Sequence, residues 1–197
     1  MIKRARIKVD SLPACPDGIP TIIAIPVDDG EILIGEQANQ AEEASYLKLA
    51  NWKMLLGKSN AELEAEKATN SDLAKVLRRT TLEAVALSYF RTMLQETLGN
   101  EPELRERPQA IIGIPPSASE DQVKWRQNYR RRIERIFKEL GYPRPRFWPE
   151  PFAVFQYHLN MAEIRDIGTR QNVLILDVGG GTTNVCMIQT TLHGRLA

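Results

Sequence analysis

The sequence predicts an α/β fold in which a mixed sheet carries helices packed on its faces and a mostly helical segment interrupts the strand-rich parts. Three observations predict it. After Glu101, short apolar runs alternate with long charged runs, as strands and helices do in a layered domain. Before Glu36, short apolar runs are separated by proline and aspartate turns. Between Val173 and Ile188 the chain reads as strand, triple-glycine turn and second strand. With 197 residues, 43% hydrophobic and 26% charged, it can bury a sizeable core in one domain, or in one domain plus an inserted subdomain.

In chain order, Ala5-Arg6-Ile7-Lys8-Val9, Ile22-Ile23-Ala24-Ile25 and Glu31-Ile32-Leu33-Ile34 read as strands, the last turning at Gly35 into a helix. From about Glu36 to Gly99 the pattern is almost wholly helical and lacks clear strand runs. Ser71 suits a cap there, and Gly99 a stop after Leu94 and Leu98. Within it Glu62-Leu63-Glu64-Ala65-Glu66-Lys67 is a charged, solvated helix. Ala110-Ile111-Ile112-Gly113-Ile114 is a strand stopped by Pro115 and Pro116, with Ser117 and Ser119 in capping positions before a long helix. Phe147-Trp148-Pro149-Glu150-Pro151-Phe152 sets a carboxylate between two prolines. Their fixed φ and the restriction on the residue before each predict a stiff loop around Glu150.

The glycine turn carries most of the chemistry. Gly179, Gly180 and Gly181 remove every Cβ from the bend, so backbone N–H groups can approach an anion and the chain can enter φ > 0 without steric cost. Asp177 closes an apolar strand, where its carboxylate could hold a metal ion through water, and Thr182 offers a hydroxyl at the turn exit. The plain alternative is a tight hairpin whose glycines serve only the bend.

The blocks occur in an order that resembles the ATPase domain of the Hsp70 chaperone family, within the wider actin, Hsp70 and sugar-kinase superfamily. Such domains run from a Thr-Pro-Ser-Val-Val-like strand to Gly-Glu-x-Leu-Val-Gly-x-x-Ala, then a long helix, Ile-x-x-Val-Pro and a helix, Asn-Glu-Pro-x-Ala-Ala, and Asp-x-Gly-Gly-Gly-Thr. The counterparts here are Ile19-Pro20-Thr21-Ile22-Ile23-Ala24-Ile25, Gly30 to Ala38, Ile111 to Pro115, Pro149-Glu150-Pro151-Phe152-Ala153, and Asp177 to Thr182. The resemblance spans nearly the whole chain and implies an actin-like ATPase lobe of ribonuclease H-like type. Its core would be 1–35 with 108–197, and 36–107 a reduced, helical inserted subdomain.

Carried over residue by residue, the resemblance makes Asp177 the carboxylate that positions Mg2+. The backbone of Gly179, Gly180 and Gly181 becomes the second phosphate loop for ATP or ADP, with Thr182 beside the terminal phosphate and Thr183 next to it. Glu150 matches the glutamate that reaches the catalytic region and couples nucleotide state to Pro151; its plain alternative is a surface acid. An acid, a metal and a glycine cradle are the parts phosphoryl transfer needs. Two positions depart from the family: Asn39 falls where relatives carry a lysine near the attacking water, and Asn184 where they carry a second aspartate. An amide can hydrogen-bond but supplies neither a positive field nor a negative ligand. The next lysine, Lys48, lies more than two helical turns on, so a slipped alignment does not restore the cation.

Nothing before Ile19 matches the family's first phosphate hairpin, Asp-x-Gly-Thr, and the chain stops soon after the glycine turn. The expectation is a first lobe truncated at both ends: a truncated gene product, an engineered piece or part of a split protein, inactive alone. The complete parent would hydrolyse ATP, with the nucleotide, the second lobe of the same domain, and co-chaperones or client proteins as partners. Competing readings are a degenerate relative acting through protein contacts, a sugar- or acetate-kinase lobe, and a cytoskeletal or pilus-type relative.

No long apolar stretch or signal peptide is present, which points to a cytoplasmic protein without a membrane partner. Cys15 and Cys186 lack metal-ligand spacing and read as reduced thiols, with a disulfide between them as the alternative. With only His158 and His193, neither a zinc cluster nor a Ser-His-Asp triad is supported. A net charge of +1 argues against nucleic acid as a general partner. One cluster stands apart: Lys124, Arg126, Arg130, Arg131, Arg132, Arg135 and Lys138 share a helical run with an apolar stripe, either a solvated face or a partner or nucleic-acid surface.

Overall fold

A computed structural model describes the backbone of residues 20–98, 110–116, 119–160, 171–178 and 183–190. The strand expected at Ala5–Val9, the cap at Ser117, the stop at Gly99, and Cys15 and His193 lie outside the described residues. The protein is mixed α/β, and among the described residues its strands form three small sheets. It divides into two compact units, Met1–Pro108 and Gln109–Ala197.

In the first unit β1 (Ile22–Pro26) is central, flanked by β2 (Leu33–Ile34) and β3 (Tyr46–Ala50), both antiparallel to it. Ile23, Ala24 and Ile25 are all buried, so both faces of β1 are covered and its sequence is continuously apolar. Gly35, at φ +58°, turns β2 into α1 (Gly35–Gln40), as the sequence predicts. The strand β3 corrects the helical reading of this region. Leu47-Lys48-Leu49 is only three residues of alternation, and pairing with β1, Ile23 against Leu49 and Ala24 against Lys48, fixes it.

Four helices follow: α2 (Trp52–Leu55), α3 (Asn60–Thr69), α4 (Ser71–Arg79) and α5 (Leu82–Leu98). A capping box starts α3: the Ser59 hydroxyl accepts from the Glu62 N–H at 3.3 Å and the Glu62 carboxylate accepts from the Ser59 N–H at 2.6 Å. The cap of α4 is Asn70 rather than Ser71. Its Oδ1 accepts from the Leu73 N–H at 3.0 Å, which puts Ser71 inside the first turn. The core gathers Trp52, Leu56, Leu73, Val76, Val85 and Ala86, with Trp52, Tyr89 and Phe90 in mutual edge-to-face contact.

The second unit begins with β4 (Ile111–Ile114), α6 (Glu120–Glu139), β5 (Arg146–Pro149) and α7 (Glu150–Asn160). β4 and β5 pair in parallel, a geometry that requires a long crossover, which α6 supplies. Ser119 caps α6 as expected, its hydroxyl accepting from the Gln122 N–H at 3.3 Å. Tyr129, Ile133, Ile136 and Phe137 form its buried stripe. The hairpin β6 (Gln171–Val178) and β7 (Thr183–Thr190) completes the unit and packs, like β4 and β5, against α7. Among the described residues no helix is long and apolar enough to cross a membrane.

Candidate functional site

The hairpin is in register along its whole length, from Gln171 opposite Thr190 to Val178 opposite Thr183. The ladder therefore closes on a connection of four residues, Gly179 to Thr182, and sets the backbone of Asp177 opposite that of Asn184. Gly179, Gly180, Gly181 and Thr182 lie outside the described residues, as do the side chains of Asp177, Thr183 and Asn184. Along the strands the pleat is clear: Ile175 is buried and Val173, Cys186 and Ile188 half-buried, while Leu174, Leu176, Val185 and Met187 on the opposite face are 58–67% exposed. Cys186 is a free thiol. With Ile188 it meets Trp148, Pro149 and Phe152 around an apolar cavity of about 460 Å³.

Glu150 is the first residue of α7, which corrects the stiff-loop reading. Pro151 does not prevent this, because first-turn N–H groups have no intrahelical acceptor and the fixed φ of proline suits a helix start. A carboxylate there also meets the positive end of the helix dipole. Glu150 directly follows β5, so it lies at the carboxyl end of the parallel pair, where open α/β sheets bind ligands. Pro151 beside it is fully buried.

Two residues that sequence reasoning missed shape this position. A Cβ on Gly113 would lie 3.0 Å from Cγ of Glu150, so the missing side chain makes room for the acid. Tyr129, buried on α6, has its phenol held well above the ordinary range near 10, chiefly by burial and secondarily by the charge of Glu150. The signal for Gly113 was available: glycine inside an apolar strand marks a close approach. Tyr129 gave none, since a tyrosine on an apolar stripe is ordinary core.

The other departure from the family pattern changes in three dimensions. Asn39 sits exposed on α1, and the Lys48 ammonium donates to its backbone carbonyl at 2.8 Å. Counting helical turns placed Lys48 far away; as a residue of β3 it returns beside α1. A cation is thus next to position 39 after all. This pair belongs to the first unit, whereas Glu150 and the hairpin belong to the second.

Among the described residues no three His, Cys, Asp or Glu side chains gather as a metal-holding group. The donors the sequence offers at the hairpin, a carboxylate, hydroxyls and main-chain amides, are of the type that suits a hard cation and a phosphate. No protein-family model matches this chain, and no curated protein matches it in sequence.

Proposed function

We propose that this chain carries the phosphate-binding hairpin of an actin-like, Hsp70-type ATP-binding lobe. The observation that supports the reading best is the β6–β7 register, which leaves the Gly179–Thr182 run as the connection and puts Asp177 one residue before the end of β6, with Val178 closing the strand. The start of α7 at Glu150, at the carboxyl end of a parallel strand pair, supports an acid near that chemistry. In this reading the amides of Gly179, Gly180 and Gly181 cradle the phosphates of ATP or ADP, Thr182 and Thr183 donate hydroxyls, and Asp177 orients Mg2+ through water. Magnesium, when bound, neutralises phosphate charge. Glu150 orients groups at the reacting end. In the complete protein, with a second lobe, the activity is ATP hydrolysis that drives a chaperone-type conformational change in the cytoplasm, with co-chaperones or clients as further partners.

Titrating the chain with Mg-ADP while following amide resonances tests the hairpin. The Gly179, Gly180 and Gly181 signals should move, and Asp177→Ala should weaken the response when magnesium is present. Glycine amides that stay still at millimolar nucleotide refute the reading. For the complete two-lobe protein, equal magnesium-dependent turnover before and after Asp177→Ala would remove Asp177 from its role.

A second reading, a degenerate relative that works through protein contacts, draws on Asn184 and on the outward apolar face of Leu174, Leu176, Val185 and Met187. It expects normal folding and no nucleotide response at all.

A further inference from the structure

The net charge of +1 conceals a segregation. Residues 1–108 hold fourteen Lys and Arg against seventeen Asp and Glu, a net of −3, while residues 109–197 hold twelve against eight, a net of +4. Much of that excess lies on α6. At about 100° per residue, Lys124, Arg131, Arg135 and Lys138 fall within about 60° of one another, forming one line about 21 Å long. The line lies opposite the buried stripe of Tyr129, Ile133, Ile136 and Phe137, and all four cations are exposed.

None of the four makes an ion pair with a described residue. Glu134, the acid nearest the middle of the helix, is taken by Arg130 at 3.0 Å, and that guanidinium also sits 4.9 Å over the Phe147 ring. Glu120, Asp121 and Glu139 flank only the ends, Glu120 one turn before Lys124 on the same face. A row of four cations with no ion pair among the described residues raises the local potential, and an anionic partner relieves it.

We infer that this face of α6 is a docking surface for the phosphate backbone of a polynucleotide, bound without regard to sequence. Spacing favours this occupant. The cations stand about 10, 6 and 5 Å apart along the axis, whereas nucleic acid carries phosphates more densely, so each cation finds an anion in any register. An acidic protein surface would have to match that uneven spacing. The stripe also carries no apolar residue to bury in a bilayer. The inference is independent of nucleotide binding at the hairpin.

Fluorescence anisotropy of a labelled 20-nucleotide single strand, with this chain as titrant, tests it. Four phosphate contacts predict a slope of log K against log salt of about −3, a loss of about 50-fold between 50 and 200 mM salt. Neutralising the stripe (K124Q, R131Q, R135Q, K138Q) should weaken binding at least tenfold at 50 mM salt, with the far-ultraviolet spectrum unchanged. Neutralising Lys67, Lys75, Arg78 and Arg91 should not. Three results would overturn the proposal: no binding at 50 mM salt; a slope flatter than −1; or equal loss from both variants. Stronger binding of polyglutamate or of phosphatidylserine vesicles than of the oligonucleotide would overturn it too, in favour of an acidic protein or a membrane.

Discussion

Gly113→Ala puts a single methyl against the candidate acid, and its consequence can be worked from the structure. The added Cβ would stand 3.0 Å from Cγ of Glu150, where carbon atoms are comfortable at about 3.5–4.0 Å. One of them must yield by about half an ångström. Glu150 has little room to do so, since it opens α7 between Pro149 and the buried Pro151. Overpacking of this kind costs about 1–3 kcal/mol, and replacing a strand glycine returns about 0.5–1 kcal/mol. The expected net is a destabilisation of about 1 kcal/mol, read as a fall of about 0.3–1 M in the urea midpoint with unchanged slope. In a Glu150→Ala background the clash is gone, so the same change should become neutral or mildly stabilising. A double-mutant cycle would then give a coupling of about 1 kcal/mol or more. Equal costs in both backgrounds, within about 0.5 kcal/mol, would refute the assignment of Gly113 as the space that seats Glu150.

Two other perturbations test the packing around these elements. The raised ionisation of Tyr129 means that the unfolded chain loses this proton first as pH climbs. Its contribution is therefore fully present below about pH 10 and is lost as pH rises towards the folded value. Phenolate absorbance at 295 nm should show a step above the ordinary tyrosine range in the folded chain, and Tyr129→Phe should diminish it; identical titrations of the two proteins would contradict the burial argument. Trp52 is 1% exposed, and its Nε1–H has no hydrogen-bond partner among the described residues. Trp52→Phe removes that orphan donor with part of the ring and should cost about 1 kcal/mol, against about 3–5 kcal/mol for Trp52→Ala. Similar urea midpoints for the two variants would show that the indole N–H is not wasted.

What the sequence made legible was local. Ser119 before Glu120, the two prolines after Ile114 and the alternation of Val173 to Leu176 each act within a few residues, and the elements they predict are present. Long-range pairing was hidden. The three alternating residues of β3 sit among helix formers and become a strand because β1 offers an unpaired edge. The same strand returns Lys48 to Asn39, a proximity that a count along the chain cannot contain. Glu150 read as a loop because prolines flank it, yet a helix accepts proline in its first turn. The role of Gly113 depends on a side chain thirty-seven positions later and needed coordinates to be seen.

Asn70 turns a corner single-handed. Its N–H closes the final turn of α3 onto the Glu66 carbonyl at 2.9 Å, its carbonyl accepts from the Ala74 N–H at 3.0 Å, and its side chain accepts from the Leu73 N–H at 3.0 Å. With φ −117° and ψ 100° at this one position, the relative heading of the two rods hangs on a single pivot. There is no slack linker to absorb error, so a bulkier replacement that spoils the bond to Leu73 would loosen the joint and let α4 swing, carrying Leu73 and Val76 out of the apolar interior they help to fill.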